Sequence, residues 1–197
     1  MIELGILADD LTGGMMVASL LEREGISCPL VSSIDELASI NDSDAQAVVV
    51  ARKIRLIAPD AARLEAVSTV KALQSIGCKR FYYKYCATFD STTDGNIGPI
   101  AEAMLETLNT EKTVFCPAFP EYTVTIFQGR MFIGSTPLGD SFKQNDPVTP
   151  MTNSNLVEVL QSQTSKHVGL ISHSMLIKEV ESVRSHINKM SSTPFFI

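Results

Sequence analysis

Short apolar runs alternate along the chain with segments whose apolar residues recur at helical spacing. The runs predict strands at Ile2–Ala8, Cys28–Val31, Ala47–Ala51, Arg80–Tyr85, Thr113–Pro117, His167–Ile171 and Pro194–Ile197. The helical period predicts helices over Met15–Arg23, Ile34–Ile40, Pro59–Ile76, Ile97–Leu108, Ser154–Gln163 and Leu176–Met190. Boundary residues agree: Ser33 and Glu36 have capping-box spacing, and Pro59 suits a first helical turn. Gly25 and Gly77 stand where a left-handed helix end needs no side chain. Strand–helix alternation of this kind predicts an α/β protein, a three-layer Rossmann-like domain with a mostly parallel sheet and helices on both faces. Between Pro117 and Pro150 the rhythm breaks. Thr125–Gln128 and Met131–Ile133 flank Gly129-Arg130 as a β-hairpin excursion, followed by a long polar loop from Gly134 to Pro150. The last residues, Pro194-Phe195-Phe196-Ile197, read as the start of a buried strand on which the chain stops, so a truncated domain with exposed apolar residues is expected there.

Composition narrows the class. At 197 residues, 45% hydrophobic and 19% charged, the chain can bury a substantial core, and length favours one domain while leaving two small ones open. A net charge of −6 with scattered lysines and arginines excludes a nucleic-acid footprint. The longest apolar runs, such as Ala45–Ala51, are too short to cross a bilayer, so no membrane partner is expected. Met1 leads directly into a strand without a basic leader, which points to the cytoplasm. Of the four cysteines, Cys28, Cys78 and Cys116 lie in or near predicted strands and read as buried free thiols; Cys86 completes the set. The three histidines have no metal-ligand spacing, and no metal site is expected.

In a parallel sheet, ligand groups collect at the carboxyl ends of strands. Three segments stand there: Asp9-Asp10-Leu11-Thr12-Gly13-Gly14, Arg52-Lys53-Ile54-Arg55, and Lys84 to Thr92 followed by Asp94-Gly95-Asn96. Two aspartates at a helix N-terminus have the wrong sign for naked phosphate, because two unit charges about 4 Å apart interact by roughly 4 kcal/mol at an effective dielectric near 20. Hydroxyl groups, a metal ion or a lysine suit them better. Carboxylates, cations and hydroxyls together match a polyhydroxy acid. Each segment also has a plain structural reading: helix capping for Asp9-Asp10 and for Asp90-Ser91-Thr92, a solvated loop for Arg52, Lys53 and Arg55. Side-chain alternation implies that Asp9 and Asp10 face different ways, one of them capping the helix. The chain carries no phosphate loop, no dinucleotide glycine pattern and no nucleophile elbow.

Ala8-Asp9-Asp10-Leu11-Thr12-Gly13, Lys84 to Thr92, Gly95-Asn96-Ile97-Gly98-Pro99, Cys116-Pro117-Ala118-Phe119-Pro120-Glu121, Gln128-Gly129 and Pro147 to Thr152 occur in one order along the chain. On these motifs, over nearly all 197 residues, the chain resembles the four-carbon acid sugar kinase family. The resemblance implies an ATP-dependent kinase acting on the 4-hydroxyl of threonate, erythronate or 3-oxo-tetronate. It also implies that this chain is the N-terminal sugar-acid-binding domain, with ATP and Mg held mostly by a C-terminal domain outside it, so that the chain alone is inactive. The implied site has Asp9 and Asp10 as catalytic groups. Thr12, Gly13, Lys53, Arg55, Lys84, Thr88, Asp90, Ser91, Thr92 and Asn96 bind the substrate; a homo-oligomer is compatible. The family usually has Asp at Met16, Ser at Ile54, Asn-Gly-Arg at Tyr122-Thr123-Val124 and Asp-His at Asn145-Asp146. Those departures keep open a divergent non-catalytic module that binds a metabolite or a protein. A dinucleotide-binding Rossmann domain is the third reading, opposed by the acidic first turn.

Overall fold

The structure, a computed structural model, describes residues 2–40 and 44–197. Met1, on which the leaderless reading rests, lies outside them. The fold is α/β with parallel sheets, as the alternation predicts, and the chain divides into two compact units: Met1–Cys86 with Pro99–Asn109, and Ala87–Gly98 with Thr110–Ile197.

The first unit holds β1 (Leu4–Ala8), α1 (Leu11–Arg23), β2 (Leu30–Val31), β3 (Ala47–Ala51), α2 (Pro59–Ser75), β4 (Arg80–Lys84) and most of α3 (Ile97–Leu108). Its four strands form a parallel sheet in the order β2-β3-β1-β4. Leu4 pairs with Ala47 and Arg80, and Ala8 with Ala51 and Lys84, so the three main strands end level. Alternation along β1 and β3 sorts the side chains. Ile6, Ala8, Val49 and Ala51 pack with Ala18 of α1 on one face. On the other, Leu7 packs with Ala62, Ala66 and Val70 of α2 and with Ile100, Ala103 and Met104 of α3. All five residues of β3 are buried because both faces are covered. Helix α1 begins at Leu11, earlier than the predicted Met15, because the Asp10 side chain accepts from Gly13 N–H and caps it. Residues Ile34–Ser39 form a 3-10 helix. Ser33 Oγ accepts from Asp35 N–H at 3.2 Å, while Glu36 reaches back to Ser32, so the expected capping box is shared between two serines.

In the second unit β5 (Thr113–Val114), β9 (Val168–Gly169) and β10 (Phe195–Phe196) make a parallel sheet in the order β5-β10-β9. The terminal residues are therefore its centre. Phe195 and Phe196 are fully buried, with Phe195 edge-on to Phe115 at 5.4 Å, which corrects the expectation of an exposed apolar end. β6 (Val124–Phe127), β7 (Arg130–Ile133) and β8 (Thr136–Pro137) form an antiparallel sheet. The predicted hairpin is present, with its turn one residue earlier, at Gln128-Gly129, where φ is 51° and 74°. The expected loop after Gly134 also contains β8 and two 3-10 turns, Leu138–Asp140 and Phe142–Asn145. Helix α4 spans Leu156–Gln161; the last helix, predicted over Leu176–Met190, begins later, as α6 (Val180–Lys189) after an extended Glu179, and Leu176 instead ends a short α5 (His173–Leu176). Cys28 and Cys78 are buried free thiols, but Cys116 is exposed, because β5 ends at Val114 and leaves it in a loop.

Two positions give direct tests. A Cβ on Gly14 would lie 2.9 Å from Ala51 Cβ and 3.2 Å from Leu30 Cδ1, so α1 lies against the sheet through this glycine. Gly14→Ala should therefore lower the urea midpoint, by about 1–3 kcal/mol of overpacking against about 1 kcal/mol of helix propensity gained; a rise would show that α1 can move off the sheet. Thr123, where the resembled family usually has glycine, sits at φ 60° after the 3-10 turn Pro120–Tyr122. A β-branched residue in that region costs about 1–2 kcal/mol. Thr123→Gly should raise the thermal midpoint, and an unchanged or lower midpoint would contradict the strain.

Candidate functional site

Hydrogen bonding in the first unit's sheet continues one residue past Ala8. Asp9 N–H donates to Lys84 C=O at 3.0 Å, and Ile54 N–H donates to Asp9 C=O at 3.1 Å. This brings the ends of β1, β3 and β4 together at Asp9. Its side chain continues the face of Leu7 and is 1% exposed. A buried carboxylate needs a partner, and Arg55 supplies a fork: Nε to Oδ2 at 3.0 Å and Nη2 to Oδ1 at 2.7 Å. The same Nη2 lies 2.7 Å from Asp10 Oδ2, while Asp10 Oδ1 accepts from Gly13 N–H at 2.6 Å. Asp10 is thus the capping aspartate and the more exposed of the two.

Burial pushes the Asp9 carboxyl above the usual carboxylate range, against the pull of Arg55's hydrogen bond and charge. Burial alone would lower Arg55, but its bonds to Asp9 and that carboxylate's charge outweigh it and hold the guanidinium charged. Lys84 is buried, and desolvation lowers its ammonium below the ordinary lysine value despite Asp9's charge. Its Nζ donates to Tyr85 C=O. A Cβ on Gly13 would lie 2.8 Å from Asp10 Oδ1 and 3.4 Å from Lys84 Nζ, so only glycine leaves the pair room. Thr12 and Lys53 are exposed. Lys53 borders an open cleft of about 670 Å³ with Leu11, Arg52, Ile54, Ile57 and Glu65, in which Arg52 is ion-paired with Glu65.

The second unit has its own polar cluster. Thr88 Oγ1 donates to Asp90 Oδ1 at 2.6 Å. Lys143 Nζ donates to Asp90 Oδ2 at 2.8 Å and to Asp146 Oδ2 at 2.7 Å. Asp146 Oδ1 accepts from Val148 N–H at 3.0 Å and Thr149 N–H at 2.9 Å. Lys143's hydrogen bond and these two N–H groups hold the Asp146 carboxyl well below its usual range. Burial would lower Lys143, but its bonds to Asp146 and Asp90 raise it on balance. Ser91 N–H points at Met151 Sδ, 3.4 Å away, and its Oγ accepts from Gln163 Nε2 at 2.7 Å. Thr92 C=O accepts from the same amide nitrogen at 2.8 Å. Asn96 is buried immediately before α3.

The predicted residues thus fall into two clusters, Asp9, Asp10, Gly13, Arg55 and Lys84 in one unit and Thr88, Asp90, Ser91 and Thr92 in the other. Lys143 and Gln163 are additions to the predicted set, and Asp146 enters the sequence reading only as a departure from the resembled family. The opposite charges at Lys143 and Asp146, beside the Pro147–Thr152 motif, were a usable signal; Gln163 has none in the local sequence. Of the departures, Ile54 is 2% and Val124 3% exposed, and Ile54 packs with Leu7 and Ala62. Mg does not fit these residues: the carboxylates of both clusters are engaged by Arg55 or Lys143, and among the described residues no group of three or more acidic, histidine or cysteine side chains could hold a metal. No helix among the described residues is long and apolar enough to cross a membrane.

Known proteins share this arrangement of elements. A 3-oxo-tetronate kinase of Pseudomonas fluorescens is 43% identical over 187 residues, covering 95% of this chain and 44% of that protein. A solved Haemophilus influenzae protein of the DUF1537 family superposes with a TM-score of 0.89 at 34% identity, covering 98% of this chain and 47% of that one. A DUF1537 protein of Bordetella bronchiseptica, solved with bound citrate as a domain-swapped dimer, gives 0.80 at 25% identity, over 99% and 47%. The chain thus spans less than half the length of the proteins it matches. The family model described as the sugar-binding N-terminal domain matches residues 4–195, and the chain belongs to that family.

Proposed function

We propose that this chain is the acid-binding domain of a cytoplasmic, ATP-dependent kinase of carbohydrate metabolism that phosphorylates a four-carbon acid sugar (3-oxo-tetronate, threonate or erythronate) at its 4-hydroxyl. The nucleotide is held by a C-terminal domain beyond these 197 residues, and this chain alone does not transfer phosphate. The observation that carries the reading is the pair of adjacent aspartates on one arginine at the end of β1. Asp9, sealed in the Arg55 fork, fixes the guanidinium; Asp10, with 31% of its side chain exposed, is the carboxylate able to meet a ligand. In phosphoryl transfer the attacking hydroxyl must lose its proton, and Asp10 accepts it. With Arg55 committed to both aspartates, the acid group falls to Lys53 and Lys84. Thr12, Thr88, Asp90, Ser91, Thr92 and Asn96 complete the set of groups that recognise the sugar acid's oxygens. ATP supplies the phosphoryl group, and a homo-oligomer is compatible with the domain-swapped relative.

Burial of Ile54 and Val124 supports a second reading, a non-catalytic binding module, because two positions that are polar in the resembled family are packing residues here. One experiment separates the two. The full-length protein is titrated calorimetrically with each of the three acids and assayed for ATP-dependent phosphorylation. The kinase reading expects heat and turnover with at least one acid. Asp10→Asn should reduce kcat by about a hundredfold or more, and Lys53→Ala should act mainly on KM. Turnover would overturn the second reading, heat without turnover would favour it, and neither heat nor turnover would overturn the kinase reading.

A further inference from the structure

Gln163 lies just past the C-terminus of α4, where its N–H donates to Leu160 C=O at 3.0 Å. Its side-chain amide spans a segment some 70 positions away in sequence. Nε2 donates to Ser91 Oγ at 2.7 Å and to Thr92 C=O at 2.8 Å, and Oε1 accepts from Gly98 N–H at 2.9 Å. One amide therefore grips both ends of the stretch that carries Ser91, Thr92, Gly95 and Asn96, using two donors and one acceptor.

Two glycines fit this grip. A Cβ on Gly95 would overlap Ser91 Oγ and stand 2.9 Å from Gln163 Nε2. A Cβ on Gly98 would stand 3.0 Å from Gln163 Cβ and 3.2 Å from its backbone oxygen. Glycines at 95 and 98 are what let the stretch close around the amide. Gly95 N–H also donates to Thr92 C=O at 2.9 Å, so the gripped carbonyl holds the turn from both sides.

The hydrogen-bond polarity has a chemical consequence. Since Gln163 donates to Ser91 Oγ, the serine hydroxyl's role towards this amide is acceptor, and its own proton is directed elsewhere. We infer that Gln163 is a positioning residue for sugar-acid recognition: it sets the 91–98 stretch and orients the Ser91 hydroxyl as a hydrogen-bond donor to an oxygen of the ligand. This rests on the reading that the stretch binds the acid.

Amide hydrogen exchange and calorimetric titration with 3-oxo-tetronate, both on the full-length protein, test it. In Gln163→Ala, exchange at Gly95 and Gly98 should rise about tenfold or more, and Kd for the acid should rise about tenfold, the loss of one hydrogen bond. In Gln163→Glu the carboxylate still accepts from Gly98 N–H but also accepts a hydrogen bond from the Ser91 hydroxyl, turning that O–H away from the ligand. Protection at Gly98 should then stay near wild type while Kd still rises, a split that general destabilisation would not produce. Unchanged exchange in Gln163→Ala would overturn the grip. Altered exchange with an unchanged Kd in either variant would overturn the role in recognition. If the wild-type protein binds none of the acids, the functional reading fails, and the exchange data still judge the grip by themselves.

Discussion

A carboxylate taken out of water must be compensated, and in the first unit that constraint falls on Asp9. Leaving a buried carboxylate unpaired costs several kcal/mol, which the Arg55 fork offsets with two charge-assisted hydrogen bonds. Much local geometry follows. The segment after β3 must carry Arg55 to the end of β1, which it does through the Ile54–Asp9 backbone bond with Ile54 seated in the core. Asp10 shares the same guanidinium and caps α1, and the glycine at 13 leaves free the space where a Cβ would lie 2.8 Å from Asp10 Oδ1 and 3.4 Å from Lys84 Nζ.

The second unit repeats the logic with a different cation. Lys143 lies between Asp90 and Asp146, and Asp146 in turn orders the turn at Val148 and Thr149. In both clusters acidic groups are neutralised by fixed cations rather than arranged as a cage for a metal ion. Such sites offer oriented donors and acceptors, the chemistry of hydroxyl and carboxylate recognition. A family described as sugar-binding fits that chemistry.

Periodicity revealed the alternation of strands and helices because the buried runs of β1 and β3 and the apolar stripes of α2 and α3 are local signals. It misjudged features decided at a distance. The exposed end expected at Phe195-Phe196 became a central strand because β5 and β9 flank it, which no local window contains. The last predicted helix begins only at Val180, with an extended Glu179 separating it from α5, which ends at Leu176. At the candidate site, Asp9, Asp10 and Arg55 were identifiable from strand ends and residue type, and alternation anticipated that one aspartate would cap α1. Their mutual pairing was not legible, since it depends on the register of β1 against β3. Gln163 was invisible for the same reason: its partners lie some 70 residues upstream.

The most direct test of the central constraint is a double-mutant cycle on Asp9 and Arg55, read by urea unfolding of Asp9→Ala, Arg55→Ala and the double variant. Each single change removes one member of a buried pair and should cost about 3–5 kcal/mol, while the double variant, left with only the part-exposed Asp10 deprived of its arginine, should lose clearly less than their sum. Additive losses, or an Arg55→Ala protein as stable as wild type, would contradict the account.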